Sequence, residues 1–328
     1  MNNISKVIVC KKHRKYNLNF MKLTILGYNS AVPTVRTNPT SQLLECNNQY
    51  FLIDCGEGTQ VQLRKAKVKF THINTIFISH LHGDHVFGLI GLISSFHLLG
   101  RSEPLNIYGP KGIQKLIETQ LMLTESITHF NINFFELTSL KSELIYEDNK
   151  LCVWTIPLNH RIYTNGFLFK EKIKPRRLNM DVIKFNPEIE VCDYHNLKLG
   201  KDFITESGDI IKNEYLTFPP KHSFSYAFCS DTKYNPNIIP IIKGIDVLYH
   251  EATFLDDLRE LASKTGHTTA YQAAEIAKMA NVKALILGHF SNRYTDTSVL
   301  KDEADQVFPN TILSEELLTL DFNELINK

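Results

Sequence analysis

Short apolar runs alternate with amphipathic stretches along most of the chain, and their spacing predicts a mixture of strands and helices. The apolar runs predict strands at 22–27, 49–54, 74–79, 105–108, 132–137, 151–156, 224–229, 246–250 and 284–287. Stretches with helical periodicity predict helices at 59–66, 86–99 and 112–122 and after Thr268. Two halves rich in βα units indicate the α/β (α+β) class, built as an αββα sandwich with ligands at strand ends.

Two segments depart from this alternation and set the expected domain boundaries. Residues 1–20 include a basic stretch, so we expect either a disordered extension or an over-long gene prediction in which Met21 is the true start. At about 170–214 turn residues interrupt every apolar run, so we expect an inserted, protruding arm within a single domain that spans 21–328. The cations that cluster at the start of this arm are Lys170, Lys172, Lys174, Arg176 and Arg177.

The composition is that of an ordinary globular protein, with 43% hydrophobic and 22% charged residues. The formal net charge is only +1, so a nucleic-acid partner would need a local basic patch rather than the field of the whole molecule. The six cysteines form no Cys-x-x-Cys pair, as expected for reduced thiols in the cytosol. No apolar run approaches the roughly 20 residues that span a bilayer. We therefore expect a cytoplasmic protein with no membrane partner.

The densest cluster of metal-binding side chains follows the strand predicted at 74–79. His80, His82, Asp84 and His85 lie within six residues, and zinc binds both imidazole and carboxylate groups. A tight loop would direct His80 and His82 to one metal and Asp84 and His85 to a second. Two adjacent zinc ions can clamp a phosphodiester and lower the pKa of a shared water towards about 7. The cluster therefore predicts a two-metal hydrolase.

Two metal sites need more ligands than one loop supplies, and three other polar residues follow predicted strands. These residues are His160, Asp231 and His289. Each could instead be an ordinary surface or core residue, but the cluster upstream favours metal ligands. His267 precedes a predicted helix and could protonate a leaving group or stabilise charge. It could equally be a polar residue at a helix N-terminus.

Further motifs follow one another from Met21 to the end of the chain. They are Leu26-Gly27, Ala31-Val32-Pro33-Thr34 with Arg36 and Asn38, Ile53-Asp54-Cys55-Gly56-Glu57-Gly58-Thr59-Gln60, Gly88-Leu89-Ile90-Gly91-Leu92, Ser230-Asp231-Thr232, His250-Glu251-Ala252-Thr253-Phe254, Gly266-His267-Thr268-Thr269 and Gly288-His289-Phe290. In this order they resemble ribonuclease Z, the tRNA 3′-processing endonuclease family of the metallo-β-lactamase superfamily. The resemblance implies the metallo-β-lactamase αββα sandwich.

The resemblance also implies two zinc ions per subunit and a role for each clustered residue. The first zinc would have the ligands His80, His82, His160 and Asp231. The second would have the ligands Asp84, His85, His289 and the shared Asp231. Asp84 would also accept a proton, and His267 would be an auxiliary catalytic residue near the scissile phosphate. Glu251 could orient a histidine or could form only structural hydrogen bonds.

The arm is the part that departs from the family pattern. Ribonuclease Z enzymes grip the tRNA elbow with a Gly/Pro-rich arm, and that Gly-Pro signature is missing here. The basic residues from Lys170 to Arg177 still offer contacts to phosphate, although such a run is also typical of a solvated loop. The resemblance further suggests a homodimer in which the arm of one subunit presents tRNA to the other.

Our main hypothesis is metal-dependent cleavage of precursor tRNA just beyond the discriminator base, which leaves a 3′-hydroxyl on the tRNA. Within the same fold, a small-molecule phosphodiesterase or lactonase is the rival enzyme. It would hydrolyse small esters and be indifferent to folded tRNA. A catalytically silent RNA-binding module is the rival from another class. The full ligand set speaks against that module.

Overall fold

The computed structural model describes residues 20–326. The extension predicted at 1–20 therefore lies outside the described residues, apart from Phe20. Among the described residues, no helix is long and apolar enough to cross a membrane.

Strands and helices alternate through the described chain. The strands are β1 (Met21–Gly27), β2 (Ser41–Cys46), β3 (Gln49–Ile53), β4 (Ile73–Phe77), β5 (Leu105–Pro110), β6 (Ile132–Leu137), β7 (Leu144–Glu147), β8 (Leu151–Pro157), β9 (Asn165–Glu171), β10 (Arg177–Leu178), β11 (Phe203–Ile204), β12 (Ile210–Ile211), β13 (Thr217–Phe218), β14 (Ser225–Cys229), β15 (Val247–Glu251), β16 (Ala284–Gly288), β17 (Thr311–Leu313) and β18 (Thr319–Asp321). The α-helices are α1 (Thr59–Lys65), α2 (Gly83–Leu98), α3 (Ile113–Leu123), α4 (Met180–Ile183), α5 (Tyr194–Lys198), α6 (Asn213–Leu216), α7 (Ile239–Ile242), α8 (Arg259–Thr265), α9 (Ala270–Met279), α10 (Ser298–Asp305) and α11 (Phe322–Ile326). Short 3-10 helices occur at Phe70–His72, Val191–Asp193, Pro236–Ile238 and Asp256–Leu258.

Two seven-stranded sheets form the centre of the molecule. The first has the order β18-β1-β2-β3-β4-β5-β6, and its strands from β3 to β6 are parallel. The second has the order β17-β16-β15-β14-β9-β8-β7, and its strands from β14 to β17 are parallel. Because parallel strands in such sheets are buried on both faces, they are continuous apolar runs, which is why the sequence pattern revealed most of them.

The core between the sheets is aromatic. The ring centroid of Phe77 in the first sheet lies 5.2 Å from that of Phe167 and 5.4 Å from that of Phe169 in the second. Helices α1, α2 and α3 bury apolar side chains on the outer face of the first sheet. Helices α9 and α10 do the same on the second. The four layers confirm the predicted αββα sandwich.

Strand β9 corrects the predicted boundary of the arm. Lys170 and Glu171 end this strand, whose residues from Asn165 to Phe169 are buried in the second sheet. The Asn-Gly and Lys-Glu pairs that flank its apolar centre are residue types depleted in strands, so the sequence pattern did not predict β9. The chain leaves the sheet after Glu171 and returns at β14, so the inserted segment is 172–223 rather than about 170–214.

The inserted segment 172–223 has a small apolar core of its own. It contains two short antiparallel pairs, β10 with β13 and β11 with β12, and the helices α4 to α6. The side chains buried together there are Ile183, Ile189, Leu197 and Leu216.

A buried carboxylate ties together the starts of three strands in the second sheet. Asp246 Oδ2 accepts hydrogen bonds from the backbone amide and hydroxyl of Ser225, at 2.8 and 2.9 Å. Its Oδ1 lies 2.7 Å from Lys283 Nζ and 2.8 Å from His222 Nε2. Burial alone would raise the pKa of Asp246, but the hydrogen bonds from Lys283 and His222 lower it below its usual value.

Replacing this carboxylate should therefore destabilise the protein in a pH-dependent way. Because the folded-state pKa is depressed, the ionised group stabilises the fold above about pH 4 and this contribution is lost as pH falls through the folded pKa. We expect Asp246→Asn to lower the free energy of unfolding at pH 7 by about 1–3 kcal/mol. Urea unfolding from pH 3 to pH 7 should show the deficit shrinking in acid. The exposed Asp257→Asn is the control, and a deficit that is constant with pH would contradict this account.

Candidate metal centre

The residues predicted as metal ligands lie at one edge of the sandwich, where strands of both sheets end. His80 and His82 follow β4 in the first sheet, while three others follow strands of the second. Those three are His160 after β8, Asp231 after β14 and His289 after β16. Side chains from distant parts of the sequence meet here because the carboxyl ends of parallel strands share one edge.

The local structure of the histidine cluster differs from the predicted loop. Helix α2 begins at Gly83, with His82 as its extended N-cap residue. Asp84 and His85 therefore lie in the first helical turn and are held more rigidly than loop residues would be. Helix α2 also approaches the segment after β3 closely, since a Cβ atom on Gly88 would lie 2.0 Å from the Gly56 carbonyl oxygen. Only glycine allows this docking.

Four side chains form the first group of candidate ligands. His80 Nε2 lies 2.9 Å from His82 Nδ1, which lies 3.3 Å from His160 Nε2. The Oδ2 atom of Asp231 is 3.7 Å from His80 Nε2 and 3.9 Å from His160 Nε2. One ligand atom from each residue falls within 4.8 Å of the others, so a single ion could bind all four.

The second group lies on the other side of the same carboxylate. The Oδ1 atom of Asp231 is 3.1 Å from His289 Nε2 and 3.5 Å from His85 Nε2. Asp84 Oδ2 is 3.5 Å from His85 Nε2 and 3.7 Å from His289 Nε2. The structure thus brings together all seven residues predicted as metal ligands, with one oxygen of Asp231 facing each group.

Hydrogen bonds at Nδ1 prepare His80 and His160 to bind a cation through Nε2. The Ser79 hydroxyl donates to Asp54 Oδ2 at 2.8 Å and so accepts from His80 Nδ1 at 3.0 Å. His160 Nδ1 donates to the Gly266 carbonyl at 2.8 Å. Because each bond fixes the proton on Nδ1, the Nε2 lone pair is free for a cation.

A divalent metal fits the remaining chemistry of the site. Among the described residues, His85 Nε2 and His289 Nε2 are buried with no hydrogen-bond partner, and such atoms are rare unless something binds them. Burial lowers the pKa of His80 well below its usual value, which keeps the imidazole neutral as a ligand must be. Burial also opposes protonation of His85, but Asp231, Asp54 and Asp84 raise its pKa well above the usual value. This excess of carboxylate charge favours a bound cation.

Asp54 also belongs to the site, although no role was predicted for it. Its Oδ2 atom lies 2.7 Å from His85 Nδ1, and its Oδ1 atom accepts from the Ser79 amide at 2.7 Å. The carboxylate is completely buried, so its hydrogen bonds orient His85 without competition from water. The sequence signal that could have indicated this role is an acidic residue directly after β3, a strand that pairs in parallel with β4.

Glu251 and His267 form a pair beside the second group. Glu251 is one of the residues that could reach an ion, but both of its oxygens already accept hydrogen bonds. The donors are the amides of Thr232 and Thr268, the Thr253 hydroxyl and His267 Nδ1. Burial opposes protonation of His267, but the Glu251 carboxylate outweighs it and raises the pKa of His267 to about 9. The imidazole is therefore protonated at neutral pH.

The basic residues predicted to bind RNA are not near the metal ligands. Since β9 and β14 are antiparallel and Lys170 pairs with Ser225, this run leaves the sheet at the end opposite Asp231. Two of the cations are already paired with carboxylates: Lys172 with Glu147 and Lys174 with Glu171, each at 2.5 Å. The other three, Lys170, Arg176 and Arg177, contact Trp154, Thr217 and Phe218 respectively.

Comparison with solved structures identifies the class. The chain superposes on the metallo-β-lactamase fold protein YhfI from Bacillus subtilis with a TM-score of 0.64 and 18% identity, covering 92% of this chain and 100% of that one. It is also similar to the short form of human tRNase Z, with a TM-score of 0.66 and 26% identity over 91% of this chain and 98% of that one. The fold and the metal centre define a metal-dependent hydrolase of the metallo-β-lactamase fold.

Sequence comparison then gives the family. A family model described as anti-Pycsar protein Apyc1 matches residues 21–189. A ribonuclease Z from Bacteroides thetaiotaomicron is 47% identical over 302 residues, which cover 92% of this chain and 95% of that relative. The chain belongs to the ribonuclease Z family, and the resemblance found in the motifs is confirmed. A divalent metal cofactor follows from this membership and from the ligand groups.

The contact between Asp54 and His85 can be tested through metal affinity. An amide in place of the carboxylate would carry no charge to stabilise the Nδ1 proton, so we expect Asp54→Asn to weaken metal binding by about 10- to 100-fold. Competition with a chromophoric chelator measures this change. Asp181→Asn, at an exposed position in α4, is the control. A dissociation constant equal to that of the unaltered protein would refute the assignment.

Proposed function

We propose that this chain removes the 3′ trailer from precursor tRNA by cutting after the discriminator base, which leaves a 3′-hydroxyl on the tRNA. The observation that carries the proposal is the position of Asp231 between two complete ligand groups, in a chain of the ribonuclease Z family. Precursor tRNA is a cytoplasmic substrate, so we also propose a cytoplasmic location.

We propose two zinc ions per subunit as the cofactor. His80, His82, His160 and Asp231 would hold one, and Asp84, His85, His289 and Asp231 would hold the other. Imidazole nitrogen and carboxylate oxygen are donors that zinc accepts readily. When bound, the ions would lower the pKa of water and neutralise the charge that develops on the phosphodiester.

Asp84 would accept a proton during the reaction. Its Oδ2 atom accepts a hydrogen bond from the Ala31 amide at 3.0 Å, which fixes the carboxylate at the edge of the site. Burial would raise the pKa of Asp84, but His85 and His289 lower it well below its usual range. The group is therefore ionised at neutral pH and has a free acceptor oxygen.

His267 would supply a proton to the departing 3′ oxygen. Its Nδ1 atom is held by Glu251 at 3.1 Å, which directs Nε2 away from that carboxylate. With a pKa of about 9, the imidazolium has the charge needed to stabilise a leaving oxyanion.

A homodimer would give the inserted segment 172–223 a role. The segment leaves the second sheet at the end opposite the metal ligands, which favours contact with tRNA bound at the site of another subunit. In this proposal Lys170, Lys172, Lys174, Arg176 and Arg177 contact tRNA phosphates. Lys172 and Lys174 would first have to release their carboxylate partners.

The decisive experiment is cleavage of a 3′-extended precursor tRNA by the zinc-loaded protein, with the cut mapped at nucleotide resolution. We expect a single cut after the discriminator base that a chelator abolishes. His82→Ala should reduce the rate by more than about 100-fold, because losing a direct ligand costs more than losing an outer partner. The exposed His129→Ala is the control.

The rival functions predict different results in the same assay. Uncut RNA together with rapid hydrolysis of small esters would favour a small-molecule phosphodiesterase or lactonase. Tight tRNA binding without any cleavage by the fully metal-loaded protein would favour a binding module.

A further inference from the structure

The loop between β8 and β9, residues 158–164, carries more than the metal ligand His160. A hydrogen bond of 3.1 Å from the Leu158 amide to the Thr164 carbonyl closes the loop at its base. Its tip exposes Asn159, Arg161 and Ile162 beside the metal centre. The loop therefore presents one cationic and one apolar side chain next to the reacting groups.

Arg161 is the exposed cation of this loop. Among the described residues its side chain makes no hydrogen bond or ion pair. It extends along the segment that leads to His267, since a Cβ atom on Gly266 would lie 3.6 Å from Arg161 Cγ. Burial is the main cause that lowers the pKa of His82, and the charge of Arg161 adds to it. The same charge opposes protonation of His267, so the guanidinium lies near both histidines.

A cavity opens on the other side of the same loop. Its volume is about 370 Å³, and His160 and Tyr163 are part of its wall. Leu140 and Ile162 stand at its surface with 80% and 39% exposure. A volume in this range is that of an ordinary small-ligand pocket, and apolar walls suit the flat face of a nucleobase.

We propose that this loop forms a nucleotide subsite, in which Arg161 binds the phosphate next to the scissile one and the cavity receives the base of that nucleotide. The inference rests on the proposed cleavage of RNA. It follows from the adjacency of the free guanidinium, the cavity and the ligand His160 within one short loop. Arginine is well suited to this role because its planar fork matches phosphate oxygens.

The contrast with the inserted segment strengthens the assignment. Lys172 and Lys174 in that segment already neutralise carboxylates, so a phosphate must displace Glu147 or Glu171 to bind them. Arg161 has no such carboxylate competitor among residues 20–326. A phosphate can therefore bind it without first breaking an ion pair.

Arg161→Gln tests the phosphate contact. We expect kcat/KM for precursor tRNA to fall by about 10-fold, mainly through KM, and the salt dependence of KM to weaken by about one phosphate contact. Arg161→Lys should recover part of the loss. Hydrolysis of bis(p-nitrophenyl) phosphate should change less than twofold, because that small diester lacks a flanking nucleotide. Metal content should also be unchanged, and Lys278→Gln on α9 is the charge-matched control.

The outcomes separate this inference from the proposed function. If the unaltered protein leaves precursor tRNA uncut, the proposed function fails. If it cuts and Arg161→Gln cuts with the same KM and salt dependence, the subsite is wrong. An equal loss on tRNA and on the small diester would indicate a structural role and would also overturn the inference.

The cavity is tested separately with Ile162→Ala and modified substrates. Removing this exposed side chain should raise KM for precursor tRNA by about threefold or more through lost apolar contact. A substrate with an abasic nucleotide on one side of the cut should abolish that difference, since the base and the side chain would no longer meet. The abasic nucleotide is placed on either side of the cut in turn. If its effect on KM and that of Ile162→Ala are additive in both substrates, no base occupies the cavity.

Discussion

The Asp231 carboxylate is buried where the ends of both sheets meet, and a buried charge is costly unless it is compensated. Its two oxygens face different histidine groups, at 3.1 Å from His289 and 3.7 Å from His80. The two halves of the chain must therefore pack in one register for this charge to be stabilised. A divalent metal bound by these groups would satisfy the same requirement. The proposed metal binding and the sheet packing would then be coupled through one side chain.

Most of the fold was predictable because the strands are continuous apolar runs and the candidate ligands come directly after them. The apolar runs of β4, β14 and β16 were evident in the sequence, and each is followed by a histidine or an aspartate. Strand β9 was missed because polar residues flank its short apolar centre and its burial comes from neighbours distant in sequence. The start of α2 was predicted three residues late, since a cluster of ligands resembles a loop.

The candidate ligands that directly follow apolar strands could be predicted from the sequence. Contacts that depend on which strands pair could not. Asp54 and His85 are far apart in sequence. The parallel pairing of β3 with β4 brings Asp54 Oδ2 to 2.7 Å from His85 Nδ1. Glu251 was an open choice between orienting a histidine and structural hydrogen bonding. Its four donors favour the orienting role, because they occupy both oxygens and include His267 Nδ1.

Gly266 contacts the candidate metal ligand His160 and directly precedes His267. Its carbonyl accepts the Nδ1 proton of His160, and the next residue is the protonated His267. The backbone φ of 89° and the 2.8 Å approach that a Cβ atom would make to His160 Nδ1 leave room only for glycine. One short segment therefore sets both the orientation of the candidate ligand His160 and the position of the proposed proton donor His267. A larger residue there would displace the His160 ring, because its Cβ atom would overlap Nδ1.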